Sequence, residues 1–190
     1  SAVKAKNAEL YAICDVAEDL LHRMGVAHGA RKTFTSYEDM LADKDVDAVI
    51  IATADAFHVP AAKAALEAGK HVLCEKPLGL SVEEVESLRS VVKASGKLLQ
   101  VGHMLRFDAG LQSAKQFIDE EMGEALALKA WYCDSTHRYA LTDAVQPAMV
   151  KSAGAKRPAS DPKADLKRYY MLAHGSHLVD LARYLCGEIV

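Results

Sequence analysis

The sequence predicts an α/β protein, a doubly wound parallel sheet without its first strand, which then runs into the start of an α+β domain. Three observations predict it. Short β-branched runs alternate with helical segments between residues 9 and 102. The first run, ELYAICD, ends on an acidic side chain, Asp15, at the strand's carboxyl end. The glycine-rich GxGxxG turn that would precede it is absent, and the chain opens at SAVKAKNAE, which reads as the helix that follows such a turn.

Taken in order, Glu9 to Asp15 reads as a strand, and Val16, Leu20, Leu21 and Met24 continue at helical spacing to Gly25, which is expected to close the helix. A short segment around Thr33 and Phe34 follows. Ser36 then caps a helix over YEDMLAD, with acidic residues in its first turn. Val46 to Thr53, VDAVIIAT, is a nearly continuous β-branched run, the pattern of a strand covered by helices on both faces. Helix His58 to Ala68 ends at Gly69, and strand His71 to Cys74 follows. Helix Val82 to Ala94 ends at Gly96, and strand Lys97 to Val101 completes the alternation. Right-handed helical crossovers between parallel strands are implied. In the order 3-2-1-4-5-6 the first strand is central, so its loss leaves two neighbours unpaired in mid-sheet. The sequence therefore reads as an excerpt of a longer protein.

After Gly102 the rhythm changes. Asp108 to Glu121 has helical spacing, and Ala125 to Cys133, ALALKAWYC, reads as a longer strand of a second sheet. Residues 135 to 172 carry scattered Pro, Lys, Asp and Ser without a period, which implies a long loop with one short helix near Asp165 to Tyr170. From His174 to Leu185, apolar Leu178, Leu181, Ala182 and Leu185 share one face of an amphipathic helix stopped by Gly187. The chain then heads toward another strand at Val190.

Charge and composition exclude several classes. With 23 basic against 26 acidic side chains, the surface offers no footprint for nucleic acid or anionic lipid and suits a small neutral or anionic substrate. Cys14, Cys74, Cys133 and Cys186 form no CxxC pair, so they read as buried thiols in a reducing compartment rather than as a zinc site or disulfide framework. No apolar run reaches the roughly 18 to 20 residues that span a bilayer, and no signal-peptide pattern opens the chain. A cytoplasmic location is expected.

Asp15 stands where doubly wound folds place a carboxylate to accept hydrogen bonds from an adenosine ribose, which favours NAD over NADP because it repels a 2′-phosphate. An N-cap for the following helix is the alternative. Glu75-Lys76-Pro77 directly follows the strand HVLC, at the carboxyl edge where open α/β sheets bind ligands. Pro77 restricts Lys76 to extended geometry and aims its ammonium away from the next helix. A cation fixed there can polarise an alkoxide or share its proton; a surface lysine in a proline turn is the plainer reading.

The sequence of strand, Thr53, four residues, His58, helix, Ala-Gly-Lys-His-Val, strand and Glu75-Lys76-Pro77 is similar to the pattern of the Gfo/Idh/MocA family, glucose-fructose oxidoreductase, inositol dehydrogenase and relatives, over Asp15 to Gly102. VGHMLRF resembles the VGFNRRF-like stretch that ends that family's Rossmann domain. The resemblance implies that Lys76 lies beside the nicotinamide and the substrate hydroxyl, and that Thr53, His58 and Glu75 flank the dinucleotide. The family's Pro-Asn after the threonine is Ala54-Asp55 here.

His174-Gly175-Ser176-His177-Leu178-Val179-Asp180 resembles the family's Asp-x-Gly-x-His-x-x-Asp stretch, whose histidine is the acid/base. His177 and Asp180 match; the first Asp falls on Ala173. A histidine at a helix start with an acidic residue three positions on is placed to have its tautomer fixed and to exchange protons near neutrality. With Ala173 in place of the partner carboxylate, either His174 or a group from the long loop does that work, or the chemistry differs; His174, Asp180 and Arg106 are assigned to the substrate. An interdomain salt bridge is the alternative for Arg106. No metal is expected. Arg168, Tyr169, Trp131 and Tyr132 read as surface, core or interface residues.

The resemblance further implies a truncated dinucleotide-binding domain over 1–102 and the start of a substrate and oligomerisation domain over 103–190, in a homo-oligomer. The expected reaction is hydride transfer between NAD and a hydroxyl carbon of a sugar, cyclitol or related polyol, with Lys76 and His177 managing the hydroxyl proton. A redox-neutral NAD-dependent glycosidase and a non-catalytic ligand sensor on the same scaffold stay open as alternatives.

Overall fold

The computed structural model describes residues 5–132, 152, 154 and 164–188. Cys133, most of the 135–172 segment and Val190 lie outside the described residues. Strand β1 (Ala12–Cys14), helix α1 (Glu18–His28), β2 (Lys32–Phe34), α2 (Tyr37–Ala42), β3 (Ala48–Ile51), α3 (His58–Glu67), β4 (His71–Cys74), α4 (Val82–Ser95) and β5 (Leu99–Val101) follow one another as the alternation predicts. Helix α5 (Ala109–Phe117) continues into a π turn over Ile118–Met122. Helix α6 (Leu166–Tyr170) runs through a second π turn, Met171–Gly175, into α7 (Ser176–Cys186).

Every pairing is parallel, and the strands form two sheets, β2-β1 and β3-β4-β5. These are positions 3-2 and 4-5-6 of the doubly wound order, with no described strand at position 1. Among the described residues no strand pairs with the inner edge of β1 or of β3.

Local chemistry explains the boundaries. Ser36 and Ser81 accept the backbone N–H of Asp39 and Glu84 and cap α2 and α4. Helix α1 does not stop at Gly25 but runs on to Gly29, whose φ of 67° is the left-handed stop. Gly25 serves packing instead. A Cβ there would meet the Thr33 methyl at 3.0 Å, so the glycine lets α1 close onto β2.

The core lies between the three-stranded sheet and helices α3 and α4, where Ile51, Val72 and Cys74 meet Ala62, Ala65, Leu66 and Leu88. The small Ala62 and Ala65 bring α3 close to the strands. Coverage of β3 on both faces is not found: the alternate positions Ile50 and Leu73 are exposed, because no described helix packs on that side. The expected strand over 125–133 is also absent from its described part. Leu126 and Trp131 stand exposed, and no described strand pairs with 125–132, without which a β-branched or aromatic run has no strand to form.

Leu66 is 1% exposed at the centre of this core. Leu66→Ala is expected to lower the unfolding free energy by about 3 kcal/mol through lost transfer energy and the residual cavity. Denaturant unfolding measures it, and a loss below about 1 kcal/mol would contradict this packing.

Candidate active site

The carboxyl ends of β3, β4 and β5 carry Thr53, Glu75-Lys76 and His103 side by side, because parallel strands deliver their ends to one edge. Backbone bonds set their heights: Glu75 N–H donates to Ile51 at 2.9 Å and Gly102 N–H to Cys74 at 2.7 Å. The imidazole of His58 is 1% exposed, with Nδ1 2.7 Å from the Pro77 carbonyl and Nε2 3.1 Å from the Thr53 carbonyl. It pins the β3 and β4 ends together. His58 was expected to flank the dinucleotide; both ring nitrogens face protein, so it shapes that edge from behind.

The helical run 166–186 crosses this edge and is tied to it three times. Lys76 Nζ donates to the carbonyl of Ala173 at 2.7 Å, Arg168 Nη2 to the carbonyl of Leu80 at 2.7 Å, and Arg106 forms a two-toothed pair with Asp180 at 2.6 to 3.0 Å. At position 173, where the resemblance leads one to expect a carboxylate, Ala173 offers its backbone carbonyl to Lys76. Arg168 is a bridging residue rather than a free surface charge.

His177 does not open a helix. It sits in the first turn of α7, after the π turn that carries His174 and without a break in helical geometry, so no free helix end faces it. The π turn rotates the face that α7 presents and buries His177 against the sheet edge, at 8% exposure. Its Nδ1 is buried without a hydrogen-bond partner among the described residues. Asp180, three positions on, was expected to fix its tautomer; instead it is committed to Arg106. Arg106 and Asp180 are thus held by each other. That pair keeps the guanidinium fully charged and places a compensated carboxylate below the imidazoles.

Burial, followed by the Lys76 ammonium, His103 and His174, holds His177 below the ordinary imidazole value. The ring is neutral near neutrality and ready to accept a proton. Aromatic rings wall it in: Tyr132 stacks on His174 at 5.0 Å and lies 6.4 Å from His177, and Tyr170 stacks on His174 at 5.7 Å. Tyr132, read from sequence as core or interface, therefore borders the site. His103 was missed. It approaches His177 edge-on at 6.5 Å, and its Nδ1 lies 3.9 Å from Asp180 Oδ2. The available signal was a titratable side chain directly after a strand, at the ligand-binding edge.

On the other sheet, Asp15 is exposed at the end of β1 and accepts the Ala17 N–H at 2.8 Å, so it makes the local turn bond while its carboxylate faces outward. The N-cap of α1 is Ala17, not Asp15. Glu75 is exposed and accepts the Lys76 N–H, and the Lys76–Pro77 peptide bond is cis. Cys74 beneath them is buried and its thiol is pushed up to about 11, which makes it inert. Cys14 is half-buried and Cys186 is exposed, so the thiols are not uniformly buried. Among the described residues no three His, Cys, Asp or Glu side chains gather as a metal site, and no helix is long and apolar enough to cross a membrane.

Fold and site together define a doubly wound α/β protein whose ligand edge carries an ammonium and a neutral imidazole on opposite walls. Residues 2–103 match the family model of the Gfo/Idh/MocA proteins, an oxidoreductase family with an NAD-binding Rossmann fold, and the chain belongs to that family. It is 36% identical over 129 residues to the inositol 2-dehydrogenase/D-chiro-inositol 3-dehydrogenase of Shouchella clausii, which covers 66% of this chain and 37% of that protein. To inositol 2-dehydrogenase 3 of Saccharopolyspora erythraea it is 40% identical over 113 residues, 59% of this chain and 33% of that one. Among solved structures, scyllo-inositol dehydrogenase from Lactobacillus casei with bound NAD(H) and scyllo-inositol superposes with a TM-score of 0.77 at 28% identity, covering 98% of this chain and 51% of that one. The chain thus spans between a third and a half of the length of these relatives.

His177 is held below 6.5 in the folded state while the unfolded chain keeps the ordinary value. Between those values the unfolded chain binds more protons, so stability is complete above about 6.5 and falls as the pH drops through that window. His177→Gln is expected to make this fall shallower, as measured by denaturant unfolding across the window. An unchanged slope would contradict the burial of a neutral imidazole.

Proposed function

We propose that the intact protein is an NAD-dependent dehydrogenase that transfers hydride between the nicotinamide and a hydroxyl carbon of a cyclitol, sugar or related polyol. The observation that carries this reading is the convergence of Lys76 and His177 at the sheet's carboxyl edge, 101 positions apart in the chain and joined there through the Lys76 to Ala173 bond. The inositol dehydrogenases it resembles support the substrate class.

The residues present fit the cofactor on its ribose and nicotinamide sides. Asp15 offers an outward carboxylate for ribose hydroxyls, and Thr53 and Glu75 are exposed on the edge between Asp15 and the Lys76–His177 pair. No GxGxxG turn occurs in the sequence, so a phosphate cradle is not among its residues. The cofactor supplies the hydride acceptor. Everything else belongs to the chain: Lys76 Nζ keeps two donor protons beyond the one it gives Ala173, enough to bind a substrate oxygen and stabilise its developing negative charge. His177, neutral and shielded from water, takes the hydroxyl proton. Tyr132, His174 and Tyr170 form a wall beside it that excludes solvent.

Within this reading, residues 1–102 serve the dinucleotide and 103–190 begin the substrate side. Thiols without CxxC spacing suit a cytoplasmic enzyme, and the exposed apolar residues of 125–132 suit a homo-oligomer in which they are covered.

Lys76→Met keeps the apolar stem but deletes the ammonium. Turnover with the preferred polyol is expected to fall by on the order of a hundredfold, about 3 kcal/mol of transition-state stabilisation, with little change in melting temperature. Turnover within a few-fold of the parent in a well-folded sample would remove Lys76 from the chemistry. NAD is expected to be preferred to NADP, because Asp15 repels a 2′-phosphate. Steady-state kinetics with both cofactors checks this; equal efficiencies would take Asp15 out of the ribose site.

A further inference from the structure

Oxidation of a secondary hydroxyl leaves one proton to dispose of. The C–H bond breaks and its electron pair leaves as hydride to the nicotinamide; the O–H bond breaks and its pair closes the C=O bond. The proton goes to His177, which is 8% exposed and stands beside the Lys76 ammonium. An imidazolium trapped there would block the next turnover, so the proton needs a way out.

His103 lies on that way. Its ring meets His177 edge-on with centroids 6.5 Å apart, beyond a direct hydrogen bond and about what one bridging water spans. On its far side Nδ1 is 3.9 Å from Asp180 Oδ2. His103 also lines an open groove of roughly 380 Å³ beside β5, together with Arg106, Phe107 and Asp180. One imidazole thus touches the buried base on one side and an open groove on the other. Among the described residues the Nδ1 atoms of both histidines are buried without a hydrogen-bond partner, so no bond at Nδ1 fixes the tautomer of either ring.

We propose that His103 is a positioning residue for proton release, passing the proton from His177 to the Asp180-lined groove and returning His177 to its neutral form.

The charges around the two rings differ. Burial lowers both imidazoles, but the next influence differs. For His177 it is the Lys76 ammonium, with His103 and His174 adding to it and Asp180 the weakest influence. For His103 it is the Asp180 carboxylate, which favours the charged form and is opposed in turn by Arg106, Lys76 and Arg183. Asp180 thus favours a proton on His103, while the Lys76 ammonium disfavours one on His177.

This inference rests on the dehydrogenase reading, and the experiment separates the two. Polyol oxidation by the intact protein is followed with the parent, His103→Gln and His103→Phe, in dilute buffer and with added imidazole. If His103 carries the proton, both variants lose about tenfold in kcat in dilute buffer with KM and NAD affinity nearly unchanged, and imidazole restores much of the loss. Two results would overturn it: variants within twofold of the parent in kcat, or a loss that imidazole does not repair, which marks a packing role. A parent that forms no NADH with any polyol defeats the dehydrogenase reading and this inference with it; an active parent with unaffected variants defeats this inference alone.

Discussion

The bond from the Lys76 ammonium to the carbonyl of Ala173 is the contact on which the site depends. It joins the end of β4 to the π turn before α7, and in doing so fixes the distance between the cation on the sheet and the imidazole on the helix. The other ties brace it. Arg168 holds the start of the helical run to Leu80, and Arg106 holds its middle through Asp180. Beneath the sheet end, His58 pins the loops after β3 and β4, so Lys76 projects from a rigid base. Each tie is a polar contact whose partners would be costly to strand, which is what makes the arrangement specific.

Electrostatics follows from that geometry. Burial disfavours the charged form of His177 most, and the nearby Lys76 ammonium adds to it, which keeps the imidazole neutral. Arg106 and Asp180 cancel each other, so they alter the local field less than either would alone. With Ala173 where the resemblance would place a carboxylate, the lysine is oriented by a dipole rather than by a full charge. On the proposed dehydrogenase reading, its positive charge is left to meet a developing alkoxide.

Much of the fold was legible because parallel strands and their crossover helices each carry their own local signal. Capping serines, the β-branched VDAVIIAT run and the glycines at 69 and 96, both with positive φ, marked the elements. Boundaries failed where tertiary contact decided them: Gly25 read as a helix stop because its small size serves packing against Thr33 instead. The segment 125–132 failed as a strand because pairing is not a property of one segment. Lys76 and His177 were legible through motif and flanking sequence. The pairing of Arg106 with Asp180, the stacking of Tyr132 and the place of His103 were not, since each joins residues distant in the chain. The π turn, which buries His177 after apparently ordinary helical spacing, left no pattern to read.

If the two walls of the carboxyl edge act together, a substrate hydroxyl must sit between them. A crystal structure of the intact protein with NADH and a bound inositol tests this most directly. The expected result is one ring hydroxyl within hydrogen-bonding distance of both Lys76 Nζ and the His177 imidazole, with its carbon facing the nicotinamide. A cyclitol held elsewhere in the cleft, with neither side chain on a hydroxyl at the reacting carbon, would contradict it.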